Sequence, residues 1–115
     1  MATLGELERS VMDLLWSSDD ALAATDIRDG LAGKELAVTT VLTVLTRLET
    51  KGFVTRERHI RPHVFRATTT RANHMAELMH EVLGTAPDRD AVLARFVGQV
   101  SSSDAATLRR ILDGK

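Results

Sequence analysis

The sequence predicts a mainly α-helical chain carrying one small β-hairpin. Three observations point there. Apolar residues recur at helical spacing up to residue 50, apolar and polar residues alternate over 53–58 and 63–68, and helical spacing returns after residue 70. A length of 115 residues suits one domain with a short appended element, and 43% apolar residues can form a modest core. Only Trp16, Phe53, Phe65 and Phe96 are aromatic, so Leu, Val, Ile and Ala must fill that core.

Thr3-Leu4-Gly5-Glu6 has the form of a capping box, a hydroxyl acceptor followed three residues later by a carboxylate. Leu4, Leu7, Val11, Leu14 and Leu15 then recur at helical spacing, which predicts a first helix over residues 4–17. The polar run Ser17-Ser18-Asp19-Asp20 closes it. Thr25 or Ala24 opens a second helix, with Ile27 and Leu31 one turn apart and Gly33 ending it. In the third, Val41, Val44, Leu45 and Leu48 fall at i, i+3, i+4 and i+7, and so form a core stripe. Thr39, Thr43, Thr46 and Thr50 share the other side with Arg47. By propensity, so many β-branched residues would suit a strand. The sustained stripe and the stop at Lys51-Gly52 favour a helix instead.

Residues 53–58 alternate in the strand manner, His59-Ile60-Arg61-Pro62 breaks the pattern, and residues 63–68 resume it. This predicts a hairpin with Phe53 and Phe65 on its packed face. Farther on, Met75, Leu78, Met79 and Val82 suit a helix ending near Gly84, and Pro87-Asp88 begins another holding Val92, Leu93, Phe96, Val97 and Val100. Ser103 or Ser102 caps a last helix with Leu108, Ile111 and Leu112. Helices of about 10–14 residues are marginal alone. These three are therefore expected to share a core with a second copy of the chain, through Met75, Leu78, Met79, Val82, Leu93, Phe96, Leu108, Ile111 and Leu112.

The net charge of −1 hides an uneven distribution. Residues 1–33 carry two bases against seven acids, a net of −5, and residues 72–115 carry five against six, a net of −1. Residues 34–71 carry eight bases against three acids, a net of +5. A basic island between acidic flanks is an electrostatic footprint for phosphate. The absence of cysteine excludes disulfides, thiolate metal sites and cysteine nucleophiles. No apolar run is long enough to insert into a membrane, and MATLGELERS lacks the basic and apolar regions of a signal peptide, so a cytoplasmic location is expected.

Three helices followed by a hairpin describe a winged helix-turn-helix, placed over residues 25–68. The expected organisation is a winged helix-turn-helix domain at 1–69 and a helical dimerisation domain at 70–115. A helix face of short hydroxyl side chains can approach base edges in the major groove of double-stranded operator DNA. Arg47, Lys51, Arg58 and Arg61 would flank it and neutralise phosphates, with the Thr25 hydroxyl at a phosphate near the start of the second helix.

The strings LGELERSVMDLLW, LAVTTVLTVLTRLETKGFV and AVLARFVGQVSSSDAATLRRIL resemble the penicillinase/methicillin-resistance repressor family. The most specific part is T-T-V-x-T-x-L-x-R-L-x-x-K-G at residues 39–52, supported by E-x-x-V-M-x-x-L-W at 8–16. The resemblance implies a homodimeric winged-helix repressor of antibiotic-resistance genes, bound to an inverted-repeat operator. It also implies a membrane sensor protease as partner, derepressing by cleavage. It places Thr39, Thr40 and Thr43 against bases, Arg47 near the backbone and dimerisation in residues 70–113. Two positions depart from it. Val38 stands where many relatives have Tyr or Pro, and Arg95-Phe96 stands where the family's cleaved Asn-Phe pair would be.

Other readings are weaker. His59 and His63 flank the hairpin turn, but no cysteine or nearby Asp completes a metal set, so no metal and no cofactor is expected. His74 and His80 are six residues apart, which suits surface or interface positions better than a helical metal pair. Ser101-Ser102-Ser103 reads as cap and linker, with no histidine or acid spaced for a triad, so the chain is not expected to be an enzyme. Trp16 is expected in core or interface packing. The remaining alternatives are a protein-interaction module using the same faces, or a winged-helix regulator controlled by a different ligand or partner.

Overall fold

A computed structural model describes residues 4–31 and 35–114. In chain order the elements are α1 (Glu6–Ser17), β1 (Leu22–Ala23), α2 (Ala24–Gly30), α3 (Val38–Thr50), β2 (Val54–Glu57), β3 (Val64–Ala67), α4 (Arg71–Gly84), α5 (Arg89–Gln99) and α6 (Ser102–Asp113). They fall into two compact units, divided between His74 and Met75 inside α4. The architecture is mainly α with a small antiparallel sheet, as the periodicities predict. No helix of the described residues is long and apolar enough to cross a membrane.

The first unit has one core. Val11, Met12 and Leu15 of α1, Ile27 of α2, Val41, Val44, Leu45 and Leu48 of α3, Val54 of β2 and Phe65 of β3 are all buried in it. The α3 stripe is therefore the one the sequence predicts, and core packing overrides the modest helix propensity of its β-branched residues. At its end Gly52 adopts φ +85°, a left-handed conformation that costs glycine little. Its N–H donates to Glu49 O and that of Phe53 to Leu48 O, at 3.1 and 2.9 Å, which closes the helix and turns the chain into β2.

Several boundaries differ from expectation. Thr3 lies outside the described residues, and α1 begins two residues later than a Thr3 cap would give. The Glu8 carboxylate accepts from Gly5 N–H at 2.8 Å, the half of a capping box that glycine permits. Gly33 and Lys34 also lie outside the described residues, and α2 already ends at Gly30. Helix α2 opens at Ala24 behind Ala23, whose N–H donates to Asp26 Oδ2 at 3.1 Å. Strand β1 was not expected. It extends the hairpin to three strands in the order β1-β3-β2, pairing Leu22 with Phe65 and Ala23 with Val64. The cap of α6 is Ser101, whose hydroxyl accepts from Asp104 N–H at 3.0 Å, rather than Ser102 or Ser103. Asp88 caps α5 in the same way, accepting from Ala91 N–H.

His74 corrects the assignment to a surface or interface position. It is buried between Trp16 and Phe53, at 5.2 and 5.3 Å between ring centroids, the second pair being T-shaped. Trp16 Nε1 also donates to Thr69 O at 3.1 Å, so this aromatic cluster ties the chain leaving β3 to the end of α1.

The second unit is built differently. Neither α5 nor α6 has a buried side chain. Met75, Met79 and Val82 of α4, Val92, Leu93, Phe96 and Val97 of α5, and Ile111 and Leu112 of α6 are exposed, with Leu78 and Leu108 half-buried.

Candidate nucleic-acid interface

With its apolar stripe in the core, α3 turns Thr39, Thr40, Thr43, Thr46, Arg47 and Thr50 to solvent. The hydroxyls of Thr43, Thr46 and Thr50 donate to the carbonyl oxygens one turn back, at 2.9, 2.9 and 3.0 Å. Each proton is thus held by the helix itself, while lone pairs and methyl groups stay outward. The face offers acceptors and methyls, which suit the exocyclic amines of adenine or cytosine and the thymine methyl. Thr46 has a further engagement, accepting from Arg56 Nη2 at 3.2 Å. Thr39, Thr40 and Thr43 are the residues most open for reading.

Beside α3 stands the β2–β3 hairpin, in register Arg56 with Phe65 and Glu57 with Val64. Its turn holds exposed Arg61 before Pro62, and Arg61 makes no ion pair among the described residues. Arg58 is 62% exposed and pairs with Glu49 Oε2 at 2.7 Å. Arg56, which the sequence reading left out, is largely covered, with its guanidinium 4.8 Å from the centre of the Phe65 ring and 3.3 Å from Glu49 Oε1. His63 sits among these cations. Loss of hydration, and then the charges of Arg61, Arg56 and Arg58, hold its pKa below the usual histidine value.

The expected site residues divide accordingly. Thr39, Thr40, Thr43 and Arg47 lie on one exposed helix face, and Arg58 and Arg61 lie on the hairpin. Thr25 is exposed in the first turn of α2, beside the Asp26 carboxylate. Lys51 is committed elsewhere. Its ammonium donates to both oxygens of buried Glu8, at 2.8 and 2.9 Å, and so joins the end of α3 to the start of α1. The Gly5 N–H and this ammonium hold the Glu8 carboxyl below the usual carboxylate range, against the opposing effect of burial. A lysine spent on a buried carboxylate is a structural cation.

The sequence pattern of the penicillinase repressor family matches residues 4–114, spanning α1 to the end of α6. The chain belongs to the penicillinase repressor family. A relative within reach of direct comparison is the transcriptional regulator BlaI of Mycobacterium tuberculosis, 40% identical over 116 residues, covering 97% of this chain and 84% of the relative. Among solved structures, a MarR family protein from Bacillus stearothermophilus superposes with a TM-score of 0.54 at 17% identity, over 97% of this chain and 72% of that one. That likeness shows the winged-helix fold. The ferric uptake regulator of Pseudomonas aeruginosa, solved with manganese, gives a TM-score of 0.50 at 27% identity, over 61% of this chain. The match spans only 55% of that regulator. As its name states, the penicillinase repressor family is one of repressors and not of enzymes.

Proposed function

We propose that the chain represses transcription as a homodimer on a near-palindromic operator, with α3 in the major groove and the β2–β3 hairpin along the phosphates. The observation that carries this reading is the exposed face of α3, where Thr39, Thr40, Thr43 and Arg47 stand on a helix whose other side is fixed in a core. A rigid support of this kind is what base readout needs. Arg47, Arg58 and Arg61 supply the phosphate contacts, and Thr25, exposed in the first turn of α2, adds a hydroxyl.

Dimerisation is supported by the apolar residues that α4, α5 and α6 leave in water. Joining two reading heads makes the second half-site contact intramolecular, which raises affinity without new contacts. Derepression by a sensor protease is the finer part of the reading. The Arg95–Phe96 bond lies within α5, and cutting it would detach Leu108, Ile111 and Leu112 from the rest of the pairing surface. Because a protease needs extended backbone, such cleavage requires local unfolding of α5.

Selection from a pool of random duplexes tests the whole reading. The expected product is a two-fold-symmetric consensus with half-site centres about one helical turn apart. A pool left unenriched, with weak binding equal for all sequences, would overturn it.

A further inference from the structure

Glu49 lies outside the set of residues expected to touch DNA, yet it occupies the edge where α3 meets the hairpin. Its two oxygens are divided between two wing cations, Oε1 at 3.3 Å from Arg56 Nη2 and Oε2 at 2.7 Å from Arg58 Nη2. Those cations differ. The Arg56 side chain is only 15% exposed, lies over Phe65 and also donates to Thr46 Oγ1, so it is built into the fold. Arg58 is 62% exposed and, among the described residues, its anchor is Glu49. Of these two, Arg58 is therefore the one exposed enough to meet a phosphate, and Glu49 is the partner that holds it.

A carboxylate beside a phosphate-binding surface has two opposite effects. On arbitrary DNA, where the protein tracks the backbone electrostatically, it repels phosphate and occupies a guanidinium that would otherwise neutralise one. On a sequence that seats α3 in the groove, Arg58 is held in a set direction. Its guanidinium has five N–H donors, so the bond to Glu49 leaves others for a phosphate. Specificity is a difference between two affinities, and a group that weakens one more than the other contributes to it.

We propose that Glu49 is a specificity-determining residue, which lowers affinity for arbitrary duplex DNA and orients Arg58 for the operator complex. The inference rests on the operator-binding reading above. On this account Glu49 contacts no base, and it raises the ratio of specific to nonspecific binding through Arg58.

The test uses the full chain, with dissociation constants for the selected duplex and a scrambled duplex measured across a salt series. Glu49→Gln keeps the size of the side chain and removes its charge. It should tighten scrambled-duplex binding roughly three- to fivefold, and steepen its log–log salt slope by about one. Selected-duplex binding should change less than about twofold, so the specificity ratio falls. In an Arg58→Ala background the same change should leave the salt slope unaltered. Should Glu49→Gln lower the melting temperature, Arg58→Lys provides a second route. It keeps the charge but loses the planar fork, and should weaken the selected duplex several-fold while leaving the scrambled one nearly unchanged. Equal tightening of both duplexes, or an unchanged ratio in both variants, would overturn the inference with operator binding intact. Wild-type protein that bound neither duplex would instead sink the operator reading, and the inference with it.

Discussion

In the unit ending at His74, Ile27, Leu45, Leu48 and Phe65 are wholly withdrawn from water, whereas beyond it Phe96 is half-exposed and Leu112 is 82% exposed. The two regions have similar helical patterning and opposite outcomes. α1 and α3 find apolar partners within the chain, in each other, in α2 and in the sheet. In α5 and α6 no side chain is buried, and short helices of this kind gain little stability from propensity alone. An amphipathic pattern thus states that a face must be buried, without stating by what. In the first region the occupant is the chain itself; in the second we assign a second copy.

The largest expected contrast is between two phenylalanines. Phe65→Ala should cost about 3–5 kcal/mol in denaturant unfolding of the first unit, because it empties a filled core site. Phe96→Ala should leave that transition in place and weaken self-association instead. An equal loss of stability from both would erase the distinction. Charging the second region goes further. Phe96→Glu with Leu112→Glu should yield a monomer by sedimentation and loosen operator binding about a hundredfold, with the melting of the first unit preserved. A charged variant that stayed dimeric would move the interface elsewhere.

A smaller effect sharpens the account of the first region. Lys51→Met should destabilise it by about 1–2 kcal/mol at neutral pH, since it strips a charge-assisted partner from buried Glu8. The pH dependence has a definite sign. Glu8 has a folded pKa below its ordinary value of 4.5, so its contribution is present above that value and is lost as pH falls through the folded pKa. The difference between wild type and Lys51→Met should therefore be full at pH 7 and shrink in acid, as read by urea titration at several pH values. A difference that grew in acid would contradict the pairing. The smallest effect belongs to the turn. Arg61→Ala should flatten the salt slope of DNA binding by about one and leave sequence preference unchanged, whereas an unchanged slope would remove Arg61 from the phosphate contacts.

What the sequence showed and hid follows from the range of the interactions. The α3 stripe, the hairpin and the stop at Lys51-Gly52 were legible, because each is written in neighbouring residues. Strand β1 was not, since two residues carry no period and Leu22–Ala23 is a strand only because β3 lies beside it. Lys51 read as a phosphate ligand because it is basic and follows the reading helix, while its partner Glu8 is 43 positions away. His74 read as a surface or interface residue because the rings that bury it, Trp16 and Phe53, come from α1 and the start of the hairpin. The Glu49–Arg56–Arg58 cluster escaped for the same reason. Its one local trace is that Thr46, Glu49 and Thr50 share a helix edge, which spacing alone cannot connect to the hairpin.

Amide hydrogen exchange, followed across a range of protein concentrations, tests the central claim most directly. Amides of α5 and α6 should gain protection as concentration rises and copies pair, while those of α1, α3 and the sheet should stay protected throughout. Protection of α5 and α6 that did not depend on concentration would show that the second region needs no partner copy, and would contradict the account.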